Sequence, residues 1–266
     1  MRRLHLFEFG DQQWFPRLLR DAETAYLATA YRFLPQLVAR WAEKLSTVLP
    51  PGEPSEIVDL CSGSGGAMPL MVEELVKRGY DVRATLTDLY PNPKSVEHPR
   101  IVWLAEPVDA ASVPPKLAGV RTMFSAFHHF RPNAAKSILR DAFEHRRAIC
   151  VFESGSGTLL TAGMMVGVPI AVLLLMPFAR PFRWTYAVFT YLIPLTPLVV
   201  LWDGMVSLFR VYSPKQMKKL TAEFEAPDYV WEIGRIEGRS IPGGLPYAIG
   251  RPIPRKSTAH PLSFNV

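Results

Sequence analysis

The chain has 266 residues, 48% of them hydrophobic and 20% charged, with a formal net charge of +6. This length suits one large α/β domain with a sizeable core, and the hydrophobic content excludes global disorder. The basic residues are scattered, so the charge alone is compatible with nucleic acid or with anionic lipid. Only two cysteines occur, each beside an apolar run, which disfavours a disulfide scaffold and favours a reducing cytoplasm.

The amino-terminal part, residues 1–53, predicts a helical segment in front of the main domain. Glu8 lies where a signal peptide needs a long apolar core, so we expect no signal peptide. From 14 to 49 apolar residues recur at helical spacing, and Pro35 divides the run into two helices. A linker rich in proline and glycine follows at 50–54. We therefore expect residues 1–53 to form a helical lid.

From residue 54 onward, predicted strands and helices alternate. Short apolar runs predict five strands and helical spacing predicts two helices between them, the strands lying at 57–60, 82–87, 101–104, 121–125 and 148–153. This alternation is typical of a mostly parallel sheet with helices on both faces. Residues 229–236 and 245–250 predict two further strands that pair antiparallel. We therefore expect one α/β domain built from 54–157 and 212–256, interrupted by 158–211 and followed by a tail at 257–266.

A turn of small residues follows the first predicted strand. The sequence Val58-Asp59-Leu60-Cys61-Ser62-Gly63-Ser64-Gly65-Gly66 ends a strand on an acid and continues into a glycine-rich turn before a helix. Glycine lets the backbone approach a ligand closely and adopt positive φ, and the helix amino terminus favours polar or anionic groups. A dinucleotide-binding turn would have Gly-x-Gly-x-x-Gly without the preceding acid, so this spacing indicates a different ligand.

Two further acids follow the next strands in turn, Asp88 after the second and Asp109 after the third. Together with the acid and glycine turn, this order resembles class I S-adenosylmethionine (SAM)-dependent methyltransferases. Cys61 stands where that family has its first glycine; because cysteine is small, we expect the turn to keep its shape. The resemblance implies a Rossmann-like class I methyltransferase sheet, mostly parallel with an antiparallel last strand, and SAM as the cofactor.

The resemblance also implies roles for single residues. Asp88 would accept hydrogen bonds from the ribose hydroxyls, Asp109 and Ala110 would meet the adenine amino group, and Leu89 or Tyr90 would pack against the adenine ring. The full predicted cofactor set is Asp59, Cys61, Ser62, Gly63, Ser64, Gly65, Asp88, Leu89, Asp109, Ala110 and Ser125. The alternative for each aspartate is a helix cap or turn residue.

The candidate catalytic residues are His128 and His129, which follow the fourth predicted strand. A histidine there can accept a proton from a phenol, thiol or ammonium acceptor, whereas the alternative is a packing role for both. Glu153 and Asp203 are candidate substrate contacts. Their alternatives are a solvent-facing cap for Glu153 and a boundary with water for Asp203. The sequence predicts no metal site.

Two uncharged stretches, 158–179 and 184–202, flank Arg180-Pro181-Phe182-Arg183. Each is about as long as the roughly 20 residues that cross a bilayer as a helix. Three interpretations compete: a transmembrane hairpin, a monotopic or re-entrant insertion with the arginines at headgroup depth, and a soluble lid or dimer face. The monotopic form is favoured, since four prolines predict broken helices: Pro169, Pro177, Pro194 and Pro197.

These patterns together predict methyl transfer from SAM to a lipophilic small-molecule acceptor at the cytoplasmic face of a membrane, a bacterial inner membrane. Membrane lipid is then an expected partner, whereas the oligomeric state does not follow from the sequence. The whole chain resembles bacterial family members with a similar Phe-His-His-Phe and Trp-Asp-Gly pattern. The alternative is a membrane-bound binding or scaffold protein that keeps the fold without activity. Nucleic acid is disfavoured, because basic and aromatic residues do not interleave.

Overall fold

The computed structural model describes residues 3–91, 97–155, 158–237 and 243–253. In these ranges a seven-stranded sheet has the order β3-β2-β1-β4-β5-β7-β6. Its strands are β1 Ser55–Asp59, β2 Val82–Leu86, β3 Ile101–Trp103, β4 Val120–Phe124, β5 Ile149–Phe152, β6 Tyr229–Ile236 and β7 Leu245–Pro252. Each strand lies within a few residues of its predicted position, and the predicted tail at 257–266 lies outside the described residues.

One strand of the sheet, β7, runs opposite to the others. The first five strands pair parallel, with β1 between β2 and β4, whereas β7 pairs antiparallel with both β5 and β6. Strand β5 is buried along its whole length, as expected for an interior strand covered on both faces. The mostly parallel sheet with an antiparallel final pair is therefore confirmed.

Helices cover both faces of this sheet. They are α1 Arg17–Arg32, α2 Pro35–Ser46, α3 Met68–Lys77, α4 Pro132–Glu144 and α9 Pro214–Thr221. Helices α5 to α8 belong to the segment between β5 and β6, which is described below. Pro35 begins α2 at its first residue, where proline costs no hydrogen bond. The sequence analysis missed α9, although Ser213 and Gln216 form a capping box at its start.

Two buried clusters lie on opposite faces of the sheet. On one face, α2 and α3 contribute residues such as Trp41 and Met71 against β1 and β2. On the other, α4 and α9 contribute Ile138 and Met217 against β4. The carboxyl ends of the parallel strands therefore remain the edge where loops meet.

The segment between β5 and β6 is a set of short helices. It comprises α5 Leu159–Met165, α6 Val168–Leu175, α7 Trp184–Ala187, a π-helical turn Val188–Leu192 and α8 Leu195–Arg210. Pro169 lies in the first turn of α6 and Pro194 is the N-cap of α8, so prolines interrupt the helices as predicted. A third cluster packs α1 against these helices through Tyr26, Val172 and Val200.

The described part of the chain contains no single helix long and apolar enough to cross a bilayer. One bent pair, Trp184–Leu192 with Leu195–Arg210 at 82°, meets those criteria jointly, by length and composition. The transmembrane hairpin, one of the three interpretations of this segment, gains no support. The same segment has an exposed apolar set, whose members are Leu160, Met164, Val166, Ile170, Leu174, Phe178, Trp184, Leu192 and Leu198.

Candidate active site

The turn after β1 adopts the left-handed backbone that glycine favours. Cys61 has φ of 57°, Gly63 of 55° and Gly66 of 48°, so the cysteine takes the conformation predicted for a glycine and the turn is kept. A Cβ added at Gly63 or Gly66 would meet no atom within 4 Å. The space over the turn is therefore open to a ligand that approaches the backbone.

Asp59 supports the turn from beneath. Its side chain is buried, and its oxygens accept hydrogen bonds from the Thr122 hydroxyl at 2.7 Å and the Ser62 hydroxyl at 2.8 Å. Burial raises the pKa of Asp59 to about 7, although the Thr122 and Ser62 hydrogen bonds work in the opposite direction. Both carboxylate oxygens are engaged within the protein, so Asp59 braces the turn and β4 against each other.

Asp88 joins the second loop to the glycine turn. One carboxylate oxygen accepts the Gly63 amide hydrogen at 2.8 Å, and the other accepts that of Tyr90 at 2.8 Å. Beside it, Leu89 is 49% exposed and Tyr90 is 73% exposed. This surface therefore combines an acid, an open glycine turn and exposed apolar side chains. It suits a ligand that has a diol and a flat ring.

The third loop lies against the second. Val108 donates its amide hydrogen to the carbonyl oxygen of Asp88 at 2.9 Å, which brings Asp109 to the same edge. Asp109 itself caps the Ala111 amide at 2.8 Å. Burial raises the pKa of the Cys61 thiol, as do the nearby charges of Asp88, Asp59 and Asp109. The predicted carboxylates therefore surround the turn, while their roles toward a cofactor stay a prediction.

Helix α1 contributes two residues that sequence analysis missed. Thr24 accepts a hydrogen bond from the Ser64 hydroxyl at 3.0 Å, and Tyr31 donates its hydroxyl to Ser125 Oγ at 3.1 Å. Ser125, directly after β4, has φ of 50°. The helical spacing of α1 predicted a buried face but carried no signal for which loops it would meet. Helix α1 covers both the glycine turn and the loop after β4.

His128 lies in a 3₁₀ turn, Phe127–His129, and is buried. Glu153, at the end of β5, accepts the His128 backbone amide at 2.9 Å and lies 2.8 Å from His128 Nδ1. In the tautomer that donates from Nδ1 to Glu153, Nε2 is a hydrogen-bond acceptor. Within the described residues His128 Nε2 is buried without a hydrogen-bond partner. Glu153 is buried too, which contradicts its interpretation as a solvent-facing cap.

His129 has a different environment. Its Nδ1 lies 2.8 Å from an Asp11 carboxylate oxygen and 3.1 Å from one of Glu8. Burial acts to lower the pKa of His129, but the hydrogen bond to Asp11 and the charges of Glu8 and Asp11 raise it to about 9. His129 is therefore protonated near neutral pH and is not available there as a base.

Glu8, His128 and His129 each offer a ligand atom within 4.8 Å of the others, a spacing that a metal site also has. Arg210 Nη1, however, lies 3.2 Å from Glu8 and 2.5 Å from Asp11. Protonated His129 and Arg210 already supply two positive charges to two carboxylates, and a divalent ion would be repelled by Arg210. The cluster is best described as an ion-pair network.

Asp203 is buried on α8, which contradicts its interpretation as a boundary with water. Its oxygens accept the backbone amides of Phe9 and Gly10, each at 2.8 Å. We call residues 3–15 the strap, because they contact both the turn that holds His128 and helix α8. Arg3, at one end, donates to the carbonyl oxygens of His128 at 3.0 Å and Phe130 at 2.9 Å. Asp203 thus binds the strap in this structure.

Comparison with known proteins gives structural matches alone. No protein-family model matches the chain, and no curated protein matches its sequence. The plantazolicin methyltransferase BpumL, solved in complex with SAH, is 11% identical with a TM-score of 0.55, and the match covers 92% of this chain and 93% of that one.

Two further matches are larger proteins. Human N-acetylserotonin methyltransferase in complex with SAM is 12% identical with a TM-score of 0.52, over 89% of this chain and 56% of that one. The O-methyltransferase NcsB1 from neocarzinostatin biosynthesis, in complex with SAM and 2-hydroxy-5-methyl naphthoic acid, is 14% identical with a TM-score of 0.50, over 89% and 59%. The chain spans less than two thirds of either. It has the class I methyltransferase fold, as predicted.

Proposed function

We propose that this protein transfers the methyl group of SAM to a lipophilic small-molecule acceptor. The observation that carries the proposal is the open glycine turn with Asp88 bonded to the Gly63 amide and Asp109 beside it, at the carboxyl edge of a class I methyltransferase sheet. Ligands of open α/β sheets bind at this edge. BpumL in complex with SAH and human N-acetylserotonin methyltransferase in complex with SAM support the choice of cofactor.

The residues of the turn fit the cofactor. In the proposal, Gly63 and Gly66 let it approach the backbone, Asp88 accepts hydrogen bonds from its ribose, and Leu89 with Asp109 and Ala110 holds its adenine. When bound, SAM would supply a sulfonium methyl group, so that the acceptor gains a bond to that carbon as the carbon–sulfur bond breaks and S-adenosylhomocysteine leaves. Because the reaction is an in-line displacement, positioning of the acceptor and exclusion of water dominate catalysis.

On the acceptor side, His128 Nε2 accepts the proton that the acceptor loses as the new bond to the methyl group forms. Glu153 is a positioning residue in this account, because its contacts to the His128 amide and Nδ1 fix the ring and its tautomer. Helix α1 and the strap exclude water from this side through Tyr31 and Arg3. His129 stabilises the strap through its ion pairs.

A lipophilic acceptor at a membrane is the finer part of the proposal. The exposed apolar set between β5 and β6 supports it, since solvated surfaces seldom carry so many uncovered large apolar side chains. The proposed attachment is monotopic, at the cytoplasmic face of a membrane, with Trp184 and Trp202 at the interface and Arg180 and Arg183 near the headgroups. In the proposal, an acceptor dissolved in lipid reaches His128 from this surface.

The test is incubation with methyl-labelled SAM and a total lipid extract, followed by separation of lipid-soluble products. We expect label in an organic-phase product from the wild-type protein and much less from His128→Ala. Label solely in a water-soluble product contradicts the lipophilic acceptor. SAM binding without any label transfer favours the inactive scaffold.

A further inference from the structure

The strap is fastened at a point where two acidic side chains meet. Both carboxylate oxygens of Asp203, on α8, accept hydrogen bonds from backbone amides of the strap, one from Phe9 and one from Gly10. A Cβ built on Gly10 would lie 3.3 Å from a Glu23 carboxylate oxygen and 3.5 Å from one of Asp203. Glu23 of α1 and Asp203 of α8 therefore face the same side of one strap residue, where a side chain would fit tightly.

Neither acid has a cation to balance it. Both side chains are buried, and in the described part of the chain neither forms an ion pair. The surrounding charges are otherwise engaged: His129 and Arg210 pair with Glu8 and Asp11 of the strap, and Arg20 donates to the carbonyl oxygens of Gly10 and Gln12. Two adjacent buried carboxyl groups without a cation do not both ionise.

The hydrogen bonds decide which acid keeps the proton. Asp203 accepts two backbone amides, an arrangement that favours its ionised form. Burial, followed by the charge of Asp203, raises the pKa of Glu23 well above its ordinary value. Glu23 therefore stays protonated and donates to Asp203, which in turn accepts the strap amides.

We propose that Glu23 and Asp203 are positioning residues that share one proton and thereby hold the strap over the acceptor side of the site. The strap carries Glu8 and Asp11 to His129, and Arg3 to the carbonyl oxygen of His128. When the shared proton is lost, two buried negative charges face each other and the contact with residues 9 and 10 weakens. The role in acceptor turnover rests on the proposed function, whereas the fastening itself is independent of it.

The direction of the pH dependence of strap opening follows from the raised pKa of Glu23. The shared proton stabilises the closed strap fully below the ordinary glutamate pKa, and this contribution is lost as the pH rises through the raised one. Strap opening should therefore increase toward alkaline pH. Glu23→Gln keeps a permanent donor to Asp203 and should remove the part of this dependence that comes from the shared proton, leaving the part that comes from the His129 ion pairs, whereas Asp203→Asn leaves one carbonyl oxygen for two amides.

The experiment is amide hydrogen exchange by mass spectrometry on peptides covering residues 3–15, corrected for intrinsic rates, between about pH 5 and about pH 9. We expect strap protection in the wild-type protein to fall at least about tenfold across this range. Glu23→Gln should lose clearly less protection than the wild type, the remaining loss being that of the His129 ion pairs, and Asp203→Asn should be weakly protected throughout. Glu43→Gln, an exposed glutamate on α2, is the matched control and should follow the wild type.

Constant wild-type protection over the range, or a Glu23→Gln protein with the wild-type pH dependence, would overturn the proposal. Calorimetric SAM binding by every variant checks the fold separately. If neither the wild type nor any variant binds SAM but strap protection changes as expected, the proposed function is wrong and the shared proton between Glu23 and Asp203 is still supported. With a known acceptor, Asp203→Asn should raise KM for it more than it lowers kcat.

Discussion

His128 is the residue on which proton transfer in the proposed reaction depends. Its free, buried Nε2 and its Glu153 partner give it the geometry of an oriented base. Because general base catalysis contributes roughly 10²-fold to 10⁴-fold, His128→Ala should lower kcat at least about 10²-fold at saturating SAM. SAM affinity should not change. His145→Ala, an exposed histidine after α4, is the control, and equal turnover in both variants would contradict a base role for His128.

Cys61 is held in a backbone conformation that penalises side chains branched at Cβ. At φ of 57° a residue other than glycine carries strain on the order of 1–2 kcal/mol. Cys61→Gly should therefore leave the free energy of unfolding unchanged or raise it by up to about 1 kcal/mol, whereas Cys61→Val should lower it by at least about 1 kcal/mol. Urea denaturation measures both. In β5, Cys150→Gly should instead be destabilising, and equal stability of the glycine and valine variants at 61 would refute the strain.

Asp59 gives a dependence of stability on pH. Because its pKa in the folded protein is raised to about 7, its stabilisation is fully present below the ordinary aspartate pKa and lost as the pH rises through about 7. In Asp59→Asn the side chain does not titrate, so this dependence on pH is removed. The stability of the wild type relative to Asp59→Asn should therefore fall between about pH 4 and about pH 7 and stay constant above that range. A difference that is constant with pH would show that Asp59 is ionised throughout.

Among the elements, the helices between β5 and β6 carry the membrane part of the proposal. Trp184 is 80% exposed and Leu192 is 77% exposed, so replacing both by serine removes apolar surface without disturbing the core. We expect the double variant to bind lipid vesicles at least about tenfold more weakly, with an unchanged melting temperature. Val102→Ser, an equally polar change at the exposed edge strand β3, is the control. Vesicle binding that is equal in the two variants would exclude this surface as the attachment.

How far the sequence predicts an element depends on whether its signal is local. The strands and Pro35 at the start of α2 were placed correctly because alternation and proline geometry act within a few residues. The capping box of α9 was a local signal too, and it was missed. The contacts of Glu8 with His129 and of Glu23 with Asp203 join distant parts of the chain, so no spacing rule contains them. The sequence also left open whether Asp203 and Glu153 face water, and the structure shows that both side chains are buried.

Across the whole molecule, α1 connects the parts of the site. It bonds to the glycine turn through Thr24, to the loop after β4 through Tyr31 and to the strap through Arg20, and it packs on α6 and α8. A change in the helices between β5 and β6 would therefore reach both sides of the site through one rigid element. The class I methyltransferase sheet supplies the edge, and the residues of α1 and the strap close it.

Binding of SAM is the most direct test of this account, measured by titration calorimetry on the wild type, Asp88→Asn and the control Asp81→Asn. Asp88 and Asp81 flank opposite ends of β2, and Asp81 is exposed in a surface pair with Arg100. We expect one SAM to bind per wild-type chain. Its dissociation constant should rise about 10-fold to 100-fold in Asp88→Asn, since hydrogen bonds to a charged group contribute roughly 1.5–3 kcal/mol. Asp81→Asn should bind as the wild type does. No binding to the wild type, or equal affinity in all three proteins, would contradict a cofactor site at the glycine turn.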